Sequence, residues 1–226
     1  MSQKSLLLLL QLCNSSLPLG AYSYSDAIES LVEKKVICDG VSLYQWLKNE
    51  LIYGSIKMEA GIFVRGYHGF MNSDQDKINY WNNWLIASRE TSELREQTLQ
   101  MGKSLRRLIV SLEKGNDSQS FLNLLPQRCS YTIAFSGIVS YWQIPLEDAL
   151  LGYLHSWLNN LIGVGIKLIP LGQTEGQKIL LQFNDLLKEI SPDIINLKDE
   201  ELNCCSWGLS MASMHHETLY SRLFRS

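Results

Sequence analysis

The stretch Leu146-Glu147-Asp148-Ala149-Leu150-Leu151-Gly152-Tyr153-Leu154-His155-Ser156-Trp157-Leu158-Asn159-Asn160-Leu161-Ile162-Gly163-Val164-Gly165 decides the fold class. Its apolar residues at 146, 149, 150, 153, 154, 157, 158, 161, 162 and 165 follow the three-four spacing of one helix face for five turns. Pro145 suits a first helical turn, and Glu147 and Asp148 complement the positive end of the helix dipole. Working outward, Leu94, Thr98, Met101, Leu105, Leu108 and Leu112 repeat a heptad-like spacing, with Gly115-Asn116 as the stop. Further helices are expected over 25–34, 43–70, 78–87, 131–141 and 176–190, while strand-like alternation never persists. The expectation is an all-α, single-domain bundle of roughly eight to ten helices spanning 1–226.

Composition narrows the function classes. The 226 residues carry 23 acidic against 20 basic side chains, a net charge of −3, which argues against nucleic-acid binding by bulk electrostatics and against a polybasic membrane anchor. Two stretches without Asp, Glu, Lys or Arg, 129–146 and 149–166, approach the roughly 20 residues of a membrane span. They contain Gln143, Pro145, His155, Asn159 and Asn160 and read as central helices of a soluble protein. Leu6 to Leu10 reads as part of a buried first helix, since no small-x-small cleavage site follows. Five cysteines, Cys13, Cys38, Cys129, Cys204 and Cys205, form no disulfide framework, and a reducing cytoplasm is the expected compartment.

No motif for catalysis stands out. Gly172-Gln173-Thr174-Glu175-Gly176-Gln177-Lys178 has three residues between its glycines where a phosphate loop needs four, and no strand precedes it. Gly163 and Gly165 read as sites of close helix approach. His155 reads as a core histidine, His68 as a surface residue, and Glu93 and Arg95 as capping and surface charges. Cys204, Cys205, His215 and His216 are borderline metal ligands, but adjacent pairs lack the spacing of a zinc module. No catalytic residue, resident metal or cofactor is expected.

The last dozen residues, His215-His216-Glu217-Thr218-Leu219-Tyr220-Ser221-Arg222-Leu223-Phe224-Arg225-Ser226, are unusually apolar and aromatic for a terminus. On a helical period Leu219, Tyr220, Leu223 and Phe224 form one stripe. Apolar burial alone falls short of the entropy of ordering such a segment, so backbone hydrogen bonds and arginine contacts must contribute. Docking on the chain's own core and docking on a partner are both open from the stripe alone.

Three segments carry a family resemblance: Leu17-Pro18-Leu19-Gly20-Ala21-Tyr22-Ser23-Tyr24-Ser25-Asp26-Ala27-Ile28-Glu29, Lys167-Leu168-Ile169-Pro170-Leu171-Gly172-Gln173-Thr174-Glu175-Gly176-Gln177, and the terminal His216 to Ser226. With weaker support from 90–100, the chain resembles the urease accessory protein UreF family. It departs from the family pattern at Asp26, at Ala27-Ile28 where Gly-Leu is common, and at Leu219 where Gln is frequent. The resemblance implies a non-catalytic homodimer that binds UreD (also called UreH) and recruits the GTPase UreG to urease apoprotein, coupling GTP hydrolysis to nickel insertion. It also implies a partner-binding segment over 204–226. Carried onto this sequence, His216, Glu217, Tyr220, Arg222, Leu223, Phe224 and Arg225 would serve the tail. Pro18, Gly20, Ser23, Tyr24 and Glu29 would shape a dimer or GTPase-facing surface. Lys167, Pro170, Gly172, Gln173, Gly176 and Gln177 would form a second turn near the partner surfaces. The alternative is a nickel-carrying metallochaperone using Cys204, Cys205, His215 or His216.

Overall fold

A computed structural model describes residues 1–112, 116–204 and 206–226. Its described residues form eleven α-helices and no strand: α1 (Gln3–Leu12), α2 (Ile28–Glu33), α3 (Gly40–Tyr53), α4 (Ser55–Met71), α5 (Gln75–Ala87), α6 (Ser92–Leu112), α7 (Asn116–Leu124), α8 (Tyr131–Tyr141), α9 (Leu146–Leu168), α10 (Gln173–Asn196) and α11 (Trp207–His216). The helical bundle follows from the apolar periodicity. None of the helices is long and apolar enough to cross a membrane among the described residues.

The uncharged stretch 131–141 is α8, the innermost helix, with every residue from Thr132 to Ser140 buried. The Ser130 hydroxyl accepts from the Ile133 amide and starts it. α8 lies against α4 so closely that a Cβ on Gly66 would stand 2.4 Å from Ser136 Oγ. Phe63 of α4, Phe135 of α8 and Tyr153 of α9 close the centre, with Tyr153 5.1 Å from Phe63 and 5.4 Å from Phe135 between ring centroids. On α9 the expected stripe is the buried one: Ala149, Leu150, Tyr153, Leu154, Leu158, Leu161, Ile162 and Gly165 face inward. α10 folds back along α9, and the buried Gly176 faces Ile162 and Ile166 at their contact.

Several expectations need correction. The segment 43–70 is two helices, broken at Gly54, because the Glu50 carboxylate folds over the break and accepts from the Ser55 amide at 3.1 Å and hydroxyl at 3.4 Å. α2 begins only at Ile28, since Asp26 and Ala27 hold φ of +48° and +61°, outside any right-handed helix. That conformation explains why Gly suits position 27 in the family pattern. The helix expected over 176–190 is longer, since α10 starts at Gln173 and runs through Pro192 to Asn196. Helix α7 was not expected, and Gly115 of the predicted stop lies outside the described residues. His155 is exposed, one step off the buried face of α9. Gly165 does permit close approach, to Leu43, but Gly163 has open space beside it.

Candidate functional site

The chain end is not helical. α11 stops at His216, and residues 217–226 run as turns and bends, so the predicted stripe of Leu219, Tyr220, Leu223 and Phe224 does not form. The reason is visible in where the backbone amides go. Leu223 N–H donates to Glu29 Oε1 at 2.6 Å and Phe224 N–H to Glu29 Oε2 at 2.9 Å, so a carboxylate from α2 takes the place of helical carbonyls. Arg225 N–H then donates to the Ser23 carbonyl at 2.8 Å, and the Ser25 amide donates to the Ser226 oxygen at 2.7 Å. The first resembling segment and the tail are thus stitched together over about 200 residues of sequence separation.

His216 is the pin of this arrangement. Its side chain is fully buried, with Nδ1 2.7 Å from Glu93 Oε2 and Nε2 3.2 Å from Glu29 Oε2. Carboxylate oxygens accept only, so a ring N–H of His216 has an acceptor within reach on either side. Arg222 pairs with the second Glu93 oxygen. Glu217 accepts from the Ser92 hydroxyl at 2.6 Å and from the Glu93 amide at 3.4 Å, covering the first turn of α6. Phe224 is buried, and the Lys167 ammonium stands 5.4 Å from its ring centroid.

Of the predicted residues, the structure brings together Ser23, Glu29, Lys167, His216, Glu217, Arg222, Leu223, Phe224 and Arg225. Gly20 supports them from a φ of +77°, its carbonyl accepting from the Ser23 hydroxyl at 2.7 Å. Tyr24 is buried beneath them and not a surface group. Pro18, Pro170, Gly172, Gln173 and Gln177 are exposed, Gly176 is buried, and none of these six has a hydrogen bond or ion pair to the tail among the described residues. Tyr220 and Leu223 point outward, as do Trp207, Met211 and Met214 along one face of α11.

Glu93 and Gln97 are the residues that sequence reasoning missed. Gln97 accepts from the Ser226 hydroxyl and donates to Asp26, whose other oxygen accepts from Trp157 Nε1 at 3.0 Å. Asp26, Gln97 and Trp157 line a cavity of about 100 Å³ that also contains Arg89 and Glu59, paired at 2.6 Å. Burial pushes the Asp26 carboxyl up, against the Gln97 hydrogen bond and with the nearby Glu59 charge. Burial alone would lower the Arg89 guanidinium, but Glu59 holds it above its ordinary range. The spacing of Glu93 behind Ser92 is what any helix start shows, so nothing in one dimension marked its partner.

The two histidines of the metal-carrier alternative are engaged elsewhere. Both His216 nitrogens face carboxylates, and His215 Nδ1 lies 3.1 Å from the Ser30 hydroxyl. Burial raises the Cys204 thiol, and Cys205 lies outside the described residues. Burial also pushes Cys13 and Cys129 up to about 12, which keeps them as unreactive thiols. No cluster of three or more His, Cys, Asp or Glu able to hold a metal occurs among the described residues.

Comparison with known proteins settles the family. The UreF family model matches residues 37–184. The chain belongs to the UreF family. A urease accessory protein UreF from Microcystis aeruginosa is 51% identical over 226 residues, covering 100% of both chains. The UreF of Trichormus variabilis is 50% identical over 218 residues, 96% of this chain and 94% of that relative. At greater distance, the UreF of Nitrosospira multiformis is 38% identical over 223 residues. As a UreF-family chain, this is a urease accessory protein and not the urease enzyme itself.

Proposed function

We propose that this chain is a cytoplasmic, homodimeric scaffold that bridges UreD/UreH and the GTPase UreG during nickel insertion into urease apoprotein, coupling GTP hydrolysis to metallocentre assembly. The observation that carries the reading is the terminal segment. It is clamped by Glu29 and Glu93 in one conformation, yet leaves Tyr220 fully exposed and Leu223 65% exposed, and the preceding α11 also turns Trp207, Met211 and Met214 outward. A segment whose backbone is fixed while its large apolar side chains face solvent is preorganised for a protein partner. Residues 204–226 are accordingly assigned to UreD/UreH.

The clasp residues fall into two roles in this scheme. Ser23, Glu29, Lys167, His216, Glu217, Arg222, Phe224 and Arg225 position the segment, while Tyr220 and Leu223 touch the partner. The exposed Pro18 loop and the exposed turn at Pro170, Gly172, Gln173 and Gln177 serve the dimer or GTPase-facing surface, with Gly20, Tyr24 and Gly176 shaping the backbone beneath.

Gln177→Ala separates the two surfaces. The expected result is at least a tenfold loss of UreG recruitment to the UreD complex, with UreD capture unchanged, read by pull-down from purified components. Full recruitment by this variant removes the α10 turn from the GTPase surface. The metallochaperone reading gains nothing from the engaged His216. Tight stoichiometric nickel binding in equilibrium dialysis, lost on His215→Ala, would restore it.

A further inference from the structure

The second half of α6 carries a feature that the tail does not use. Lys103, Arg106 and Arg107 follow one another along its outer face, and Arg128, on the connection between α7 and α8, stands across from them. The approach is forced by Gly102. A Cβ there would lie 2.2 Å from the Cys129 carbonyl oxygen, so only glycine lets α6 press against the 129–131 backbone. The buried Asn82 fixes that backbone from the other side, donating to the Arg128 carbonyl at 2.8 Å and accepting from the Ser130 amide at 2.9 Å. Arg128 is therefore mounted on a rigid edge beside α6.

The result is an open groove of about 810 Å³ with four cations and one carboxylate, Glu96, on a chain of net charge −3. Among the described residues none of the four cations makes an ion pair, and Arg106 Nε is buried without a hydrogen-bond partner. Like charges held this close destabilise the free chain, and an anion entering the groove relieves them.

The shape selects the kind of anion. From Leu99 to Val110 the groove follows α6 for about 16 Å at 1.5 Å per residue, the span of roughly five residues of extended chain. Leu99 and the half-exposed Val110 place apolar surface near its ends, and Gln100 and Gln127 add amide donors. A compact oxyanion would use neither the length nor the apolar ends. We infer that this groove is a docking site for an acidic, leucine-containing segment of a partner protein, its carboxylates meeting Arg106, Arg107 and Arg128 and its apolar side chains meeting Leu99 and Val110. Glu93 of the tail clasp and Arg106 are about 20 Å apart along the same helix, so the groove is a surface of its own.

The test is fluorescence anisotropy with the full chain and a labelled peptide of alternating glutamate pairs and leucines, beside tripolyphosphate and a single-stranded oligonucleotide of equal charge as competitors. The expected result is peptide binding that weakens as salt rises and falls at least tenfold in the Arg106→Glu/Arg128→Glu variant. The Lys103→Ala/Arg107→Ala variant, altered only at exposed positions, is expected to show a smaller loss with an unchanged circular dichroism spectrum. Equal peptide affinity in wild type and both variants would overturn the inference. So would displacement of the peptide by tripolyphosphate or the oligonucleotide at concentrations below that of unlabelled peptide.

Discussion

His216→Ala is expected to lower the unfolding free energy by about 3 kcal/mol, the scale for removing the hydrogen-bond partner of buried carboxylates, and to free the chain end. The imidazole is completely enclosed and lies between Glu29 and Glu93, in contact with both carboxylates. Without it two carboxylates face each other across a void, with Arg222 left to compensate one of them. Glu29 then loses the geometry in which it accepts from the Leu223 and Phe224 amides. Thermal unfolding followed by circular dichroism should show a midpoint lower by about 10 °C, from 2–4 °C per kcal/mol in a chain of this size. Hydrogen exchange at the Leu223 and Phe224 amides should rise toward the rate of an open segment. A midpoint within 2 °C of wild type, with those amides still protected, would show that the tail is held by other contacts.

The second large effect concerns pH. Burial pushes the Glu50 carboxyl from 4.5 up to about 7, with Asp26 adding to the rise and the Ser55 hydrogen bonds opposing it. Between those two values the unfolded chain has released this proton and the folded chain retains it. Stability contributed at this site therefore falls as pH rises from about 4.5 to about 7 and is flat above. At 1.4 kcal/mol per unit the full loss is about 3 kcal/mol. Glu50→Gln keeps an acceptor for the Ser55 amide and removes the ionisation. It is expected to exceed wild type by only about 1 kcal/mol at pH 5 and by about 3 kcal/mol at pH 8, measured by urea unfolding at both values. A difference of the same size at pH 5 and pH 8 would mean that Glu50 does not titrate in this range.

The two variants probe opposite kinds of buried polar group. His216 is surrounded by groups that match it, so its removal is costly. Among the described residues Glu50 accepts from Ser55 alone, so its charge is the burden. The difference bears on function, because the matched cluster sits where the tail is fastened and the unmatched carboxyl sits at the α3–α4 break.

Sequence pattern alone carried the architecture far. The α9 stripe from Ala149 to Gly165 and the uncharged run of α8 were legible because burial on one face, or on all faces, leaves a direct mark on residue choice. The break at Gly54 was not, because what stops the helix is a side chain four residues earlier turning back over the next amide. The tail was legible as a held segment but not in its conformation. Helical periodicity assumes that amides bond within the segment, and here Glu29, about 190 residues away in sequence, takes two of them. Glu29 entered the expected site through its family segment. Glu93 did not, since a carboxylate in a first helical turn has a sufficient local explanation.

The contacts also change how the tail's role has to be tested. Phe224 and His216 are buried, so deleting the segment from His216 onward would damage the fold along with any partner surface. The exposed side chains separate the two. The most direct measurement is capture of purified UreD/UreH by the Tyr220→Ser/Leu223→Ser variant beside wild type, with circular dichroism and thermal midpoint recorded on both. The account predicts an unchanged spectrum and midpoint with at least a tenfold loss of capture. Full capture by the folded variant would contradict the assignment of the chain end as the partner-binding segment.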